Sequence, residues 1–253
     1  DIIVGTHSLI QKSVEFADVG LAVVDEQHRF GVDQRAALQN KGSSGAIPDL
    51  LVMTATPIPR TAAMTVYGDL DVSILNELPE GRIPVDTKRV TDTQELWKEV
   101  NGQIMQGRQV FIVCPLIDES ENIDTTSAEA TYHRLKHDEL SEISVGLLHG
   151  RMHASEKQTV MDLFRNGELD ALVSTTVIEV GVNIPNATAM VILGAERFGI
   201  AQLHQLRGRV GRGSFQSTCY LVSNSQTPET DARLQALVDS NDGFYLAEID
   251  LEL

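Results

Sequence analysis

The chain has 253 residues, 42% of them hydrophobic and 22% charged, with a formal charge of −16 at pH 7. That length suits two compact domains or one large one, and the composition is that of a globular protein rather than a disordered or fibrous one. The apolar runs are far shorter than a membrane span and no charged-then-apolar leader is visible, so no membrane or secretory segment is expected; so acidic a total also argues against a general nucleic-acid footprint.

The first residues, Asp1-Ile-Ile-Val4, read as the interior of a strand, and without an initiator Met the chain reads as a fragment. A second run, residues 20–24, leads straight into Asp25, Glu26, Gln27 and His28. A continuous apolar run of this kind predicts a strand buried on both faces, as in a parallel sheet. The carboxyl ends of such strands are where ligands bind, so Asp25, Glu26 and His28 are candidates for a ligand rim; an ordinary solvated acidic turn is the alternative. Residues 50–53 form a third strand ending in Thr54 and Thr56, with Pro57 and Pro59 fixing the turn. Hydroxyls there can relay hydrogen bonds from a bound phosphate, or simply belong to a strand–turn–helix. Residues 40–48, rich in Gly and Ser, read as a surface loop. The segment Leu78-Pro-Glu-Gly-Arg-Ile-Pro84 is the best linker, which puts a domain boundary near residue 82. The first domain then has a thin core, which truncation explains.

Beyond the linker, strands are predicted over residues 85–90, 109–114, 144–148, 171–175, 189–193 and 218–222. Helices are predicted over 93–105, with Thr91 or Thr93 as N-cap, over 153–164, and from Thr227-Pro228 onward. Strand alternating with helix argues for parallel sheets. Residues 118–126 read as an acidic, mobile loop. Cys114 and Cys219 lie in apolar runs and read as buried reduced thiols without metal-ligand spacing.

Charge is unevenly distributed. Eight acids fall between Pro115 and Glu142, whereas none falls between Arg197 and Pro228, a stretch holding Arg197, Arg207, Arg209 and Arg212. An arginine cluster cleared of acids points to an anion; a basic helix face balancing the acidic remainder is the alternative. Two further stretches carry chemistry. In Val173-Ser-Thr-Thr-Val-Ile-Glu-Val-Gly-Val-Asn-Ile-Pro185, hydroxyls and amides after a strand can cradle a phosphate, unless this is a capped short helix. In Gln202-Leu-His-Gln-Leu-Arg-Gly-Arg-Val-Gly-Arg-Gly213, Arg209 and Arg212 are three apart and predicted on one helical face, with Gly208 and Gly211 leaving that side open. Guanidinium forks match phosphate oxygens.

Together these stretches resemble the superfamily 2 helicase motor. Asp-Glu-Gln-His at 25–28 is similar to its motif II, Thr54-Ala-Thr56 to motif III and residues 109–116 to motif IV. Residues 174–185 are similar to motif V and residues 205–212 to motif VI. Within the superfamily the match is closest to the RecG family of bacterial branched-DNA helicases, on Val24-Asp-Glu-Gln-His-Arg-Phe-Gly-Val32, residues 53–61, Glu77-Leu-Pro-Glu-Gly-Arg82 and residues 202–213. A transcription-repair coupling translocase is the nearest sibling; a non-catalytic adaptor on a helicase-like scaffold is the other alternative.

The resemblance implies an α/β protein with two RecA-like parallel-sheet domains, the first truncated at its N-terminus. Residues 1–82 would belong to the first domain, 83–226 to the second, and 227–253 to the helical start of a C-terminal extension. It implies ATP and Mg²⁺ as cofactors. Asp25 would hold Mg²⁺ through water, Glu26 would activate the attacking water, and Gln27 and His28 would couple the γ-phosphate to Thr54 and Thr56. Arg209 and Arg212 would reach the phosphates, with Arg212 the preferred arginine finger. Gln205, Gly181 and Asn183 would line the nucleotide, Asn183 standing where many relatives carry Asp. DNA would be held by its phosphates through Gly5, Thr6 and His7, through His149, Gly150 and Arg151, and through Thr175 and Thr176. The expected protein is a monomer in the bacterial cytoplasm, with branched DNA as partner and no membrane contact. No Gly-x-x-x-x-Gly-Lys-Ser/Thr loop can be matched in the chain, so residues 1–253 alone are expected to hydrolyse ATP poorly.

Overall fold

The computed structural model describes residues 1–11, 13–26, 38, 47–54, 70–75, 81–115, 121–175, 183–225 and 227–252. The chain divides into two compact units, Asp1–Pro57 and Ile58–Leu253.

In the first unit, β1 (Leu21–Val24) and β2 (Asp49–Val52) pair in parallel, Leu21 opposite Asp49 and Val24 opposite Val52. The ladder extends one residue further each way, through Asp49 N–H to the Gly20 carbonyl and Met53 N–H to the Val24 carbonyl. Two expectations fail here. Residues 1–4 form no strand, and Ile2 and Val4 are 93% and 90% exposed. β-Branched composition makes a strand only where a ladder partner is present, and among the described residues this segment has none. Nor is β1 buried on both faces: Ala22 and Val24 are inside, whereas Leu21 and Val23 are 59% and 54% exposed. Described residues cover only one face of the β1–β2 pair.

The second unit is built on a six-stranded parallel sheet. Its strands are β3 (Asp86–Val90), β4 (Gln109–Val113), β5 (Val145–Leu148), β6 (Ala171–Ser174), β7 (Ala187–Leu193) and β8 (Thr218–Val222), in the order β3-β8-β7-β4-β6-β5. Among the described residues six helices accompany them: α1 (Thr93–Met105), α2 (Glu121–His137), α3 (Ala154–Arg165), α4 (Ile200–Arg207), α5 (Pro228–Asp239) and α6 (Gly243–Glu252). Every position of β4, β6 and β8 is buried, as a sheet covered on both faces requires. The pleat sends alternate residues to two separate cores. Phe111, Leu172, Met190 and Leu221 meet Phe164 of α3, Leu203 and Leu206 of α4, and Leu234 of α5. Val110, Ile112, Val191 and Tyr220 meet Leu96, Trp97 and Val100 of α1 and Leu135 of α2.

Helix α1 has the predicted bounds, but Asp92 is its cap, accepting from the amides of Gln94 at 2.8 Å and Glu95 at 3.4 Å. The predicted loop 118–126 is helical from Glu121 onward. Glu-Asn-Ile-Asp-Thr-Thr-Ser has no apolar spacing to announce a helix; Ala128 and Leu135, further along α2, are fully buried. Helix α4 ends earlier than the helical reading of residues 202–213 implies, and α6 lies within the helical extension expected over 227–253. Both cysteines are free and buried; burial pushes the thiol pKa of Cys114 up to about 11 and that of Cys219 up to about 12. Among the described residues no helix is long and apolar enough to cross a membrane.

All six strands point the same way, so the loops that follow them gather at one edge. From β4 the chain passes to the sheet edge at β5, returns to β6, then crosses β4 to reach β7. The carboxyl ends of β4, β6 and β7 therefore form the switch point of the sheet, where α/β folds open a crevice.

Gln109 locks the opposite edge. Its buried amide donates to the carbonyls of Phe164 (2.5 Å) and Leu169 (2.8 Å), where α3 ends. Replacing it with Leu keeps the volume but removes the donor to the Leu169 carbonyl and leaves the Phe164 carbonyl with only the Gly167 amide at 3.2 Å, so Gln109→Leu should lower stability by about 2 kcal/mol. Urea unfolding measures this directly, and an unchanged midpoint would show that the amide is dispensable.

Candidate functional site

In the first unit the acidic pair sits where β1 ends. Asp25 is exposed and Glu26 half-buried. The Glu26 amide donates to Asp25 Oδ1 at 2.9 Å. Glu26 has a left-handed backbone, φ 52°, and among the described residues it alone does so without being glycine. An L-residue in this region costs about 1 kcal/mol. Thr54 follows the end of the adjacent strand β2, so Asp25, Glu26 and Thr54 share one sheet edge. Gln27, His28 and Thr56 lie outside the described residues. One carboxylate with room for water suits Mg²⁺, which keeps several waters and takes one or two protein carboxylates beside phosphate. Gly5, Thr6 and His7 are exposed and lead into a single 3-10 turn, with the Thr6 and Ser8 hydroxyls 3.1 Å apart.

In the second unit His149, Gly150 and Arg151 follow β5, and Thr175 follows β6. Leu148 pairs with Ser174, and the Thr175 amide donates to the Leu148 carbonyl at 3.3 Å, so the two loops start side by side. Lys157 Nζ ties the first loop to α3 through the Gly150 carbonyl at 2.6 Å. Thr175 and Ser174 are buried, and among the described residues Ser174 Oγ and His149 Nδ1 have no hydrogen-bond partner. Thr176 and Gly181 lie outside the described residues. Asn183 is exposed, ahead of β7.

The arginine stretch departs most from expectation. Helix α4 stops at Arg207, so Arg209 and Arg212 do not share a helical face. Two glycines explain the course of the chain. Gly211 is left-handed, φ 74°, a conformation glycine adopts without a Cβ penalty. A Cβ on Gly213 would lie 2.3 Å from the Pro185 carbonyl oxygen, so only glycine lets the two main chains touch. Gln205 is half-buried on α4, Arg209 is half-buried after it, and Arg212 is exposed, with Nε donating to the Gly208 carbonyl at 3.2 Å.

Arg207 points inward and is 3% exposed. Its Nη1 donates to the Leu237 and Ser240 carbonyls (2.7 and 2.9 Å) and to Thr87 Oγ1 (3.3 Å). Its Nη2 lies 2.8 Å from His204 Nδ1, which accepts because guanidinium has only donors. Burial and the Arg207 charge push the His204 pKa down to about 4. Sequence reasoning missed this clamp. The available signal was the place of Arg207 on the apolar stripe of α4, with Ile200, Leu203 and Leu206. Burial and the charges of Arg209 and Arg82 also lower the Arg212 pKa, and among the described residues no acid offsets them.

Known proteins agree with this architecture. Residues 92–214 match the helicase conserved C-terminal domain. The whole chain is 51% identical to the ATP-dependent DNA helicase RecG of Synechocystis, covering 30% of that protein, and 53% identical to RecG of Escherichia coli K12, covering 37% of it. A RecG solved bound to a three-way DNA junction superposes with a TM-score of 0.79 at 46% identity, over 98% of this chain and 32% of that one. The chain thus spans about a third of the length of these relatives.

The clamp makes two predictions. Arg207→Met should cost about 3 kcal/mol by orphaning buried carbonyls, read by chemical denaturation; a loss under about 1 kcal/mol would mean water replaces the guanidinium. His204 is held neutral in the fold but takes a proton near its ordinary value of about 6.5 when unfolded. Its contribution is therefore complete above about pH 6.5 and lost as pH falls toward about 4. Relative to His204→Asn, wild type should lose about 2 kcal/mol across that window. Parallel stability curves for the two proteins would rule the linkage out.

Proposed function

Because the chain is RecG-like over its whole length, we propose that it is the central part of an ATP-driven DNA translocase that remodels branched DNA such as stalled forks and junctions. The match over the whole of this chain at about half identity carries this reading. The paired carboxylates at the end of β1 and the arginine turn after α4 support it chemically.

Phosphoryl transfer needs positioning and charge neutralisation more than covalent help from the protein. In this reading Asp25 holds Mg²⁺ through water and Glu26 orients the attacking water and takes its proton. Bound ATP supplies the phosphoryl group and Mg²⁺ neutralises its oxygens. Gln27, His28, Thr54 and Thr56 relay the state of the phosphate, and Gln205, Gly181 and Asn183 line the nucleotide. Arg209 and Arg212 compensate the charge that builds on the phosphate, Arg212 as the finger. The residues following Gly194 and Gly208 remain within the second domain, whose boundary we set near residue 82.

DNA is gripped by its backbone, as a motor indifferent to sequence requires. Gly5, Thr6 and His7 serve in the first domain; His149, Gly150, Arg151, Thr175 and Thr176 serve in the second. Amides and hydroxyls do most of this work, which reconciles DNA binding with a charge of −16. The bacterial origin of the relatives supports action in the cytoplasm, and we take the acting species to be a monomer.

The test uses a full-length polypeptide carrying these residues. Glu26→Gln should bind ATP normally and lose DNA-stimulated hydrolysis by about 10²–10⁴-fold; Arg212→Ala should lose about 10³-fold or more. Wild-type turnover in Glu26→Gln would remove Glu26 from the chemistry. Absence of DNA-stimulated ATPase in the unmodified protein would overturn the reading as a whole.

A further inference from the structure

The turn that carries Arg209 and Arg212 is stapled to the segment the sequence marks as a linker. Gln216 Nε2 donates to the Pro84 carbonyl at 3.0 Å, and the Asp86 amide donates to the Ser217 carbonyl at 2.9 Å. At Gly211 the two strands of chain are in direct contact: a Cβ there would stand 2.7 Å from Val85 Cγ2 and 3.7 Å from the Ile83 carbonyl oxygen. Residues 83–86 are thus laid along residues 211–217. Arg82 precedes Ile83 and Arg212 follows Gly211, so the two stand next to this contact, and both are exposed.

Arg82 is close enough to act electrostatically on Arg212 and on His204 at the end of α4. Arg209 acts on Arg212 as well. Arg207, the fourth guanidinium of this corner, is engaged by carbonyls inside the fold. Three arginines drawn from two separate segments remain, Arg82 and Arg212 exposed and Arg209 half-buried, and among the described residues no acid offsets their effect on Arg212. Like charges held together by backbone contacts store repulsion that a bound anion relieves. Guanidinium forks suit the oxygens of a terminal phosphate.

Resting on the proposed ATPase reading, we propose that Arg82 is a third phosphate-binding residue of the Arg209–Arg212 site, delivered by the linker and directed at the terminal phosphate of a nucleoside triphosphate. The linker then senses the nucleotide directly: its position is tied to the presence of the last phosphate through Arg82, and to the arginine turn through Pro84 and Val85.

The experiment compares binding of a fluorescent non-hydrolysable ATP analogue and of fluorescent ADP to the full-length protein and to its Arg82→Ala and Arg82→Lys variants. Arg82→Ala should weaken the triphosphate about tenfold and leave ADP within about twofold, with Arg82→Lys intermediate. Because Arg82 is exposed, the variants should melt with wild type, which the same samples report. Unchanged preference for triphosphate over diphosphate in Arg82→Ala, with Arg212→Ala losing it, overturns the proposal and leaves the ATPase reading standing. A loss confined to DNA affinity also overturns it, since the phosphate would then come from the DNA backbone. Failure of the unmodified protein to bind the triphosphate analogue overturns both.

Discussion

A guanidinium buried inside a protein must have its donors met, because an unpaired buried charge is among the costliest defects a fold can carry. Arg207 meets that demand with main-chain oxygens from the end of α5 and just beyond, a threonine on the edge strand β3 and the ring of His204. These partners come from three parts of the chain, so one side chain sets where α4 ends relative to β3 and α5. Of the arginines that follow, Arg209 is half-buried and Arg212 exposed. With Gly211 turning the chain, Arg212 comes within electrostatic reach of both Arg209 and Arg82.

The polarity of the sheet supplies the complementary constraint. Parallel strands cannot be joined by tight hairpins, so each return passes through a helix or a long crossover and every loop after a strand lands on the same edge. His149 to Arg151 and Thr175 reach that edge from neighbouring strands, as Asp25 and Thr54 do in the first unit. Neither group depends on a large local core. Each needs only that two adjacent strands keep register, which the backbone ladder secures.

Much of this was legible in the sequence because burial on both faces leaves a plain mark. Val110 to Val113 and Cys219 to Val222 are uninterrupted apolar runs, and both are central strands. Helix α1 was legible from Leu96, Trp97, Val100 and Ile104, which repeat at helical spacing. What escaped prediction did so for identifiable reasons. The first turns of α2 carry no apolar spacing, and α4 ends early, at Arg207, a charged residue on its inward face. Residues 1–4 look like a strand by composition, but strand formation depends on a partner that composition does not reveal. Of the candidate site, residue types and positions could be read, while the inward turn of Arg207 and the approach of Arg82 could not. Both rest on contacts between segments distant in the chain: Arg207 reaches Leu237, 30 residues on, and Thr87, 120 residues back, and Arg82 meets Arg212 from across a similar span.

The left-handed backbone at Glu26 has a consequence for how this position should be regarded. For folding alone, glycine is the residue of least strain there, since it occupies that region freely. A glutamate in its place means that the carboxylate and the turn are held together against the local preference of the backbone. The side chain is thereby aimed by main-chain geometry, in addition to any packing around it. A substitution that relaxes the turn would redirect the carboxylate without removing it, so shape and charge at this point are separable properties of the chain.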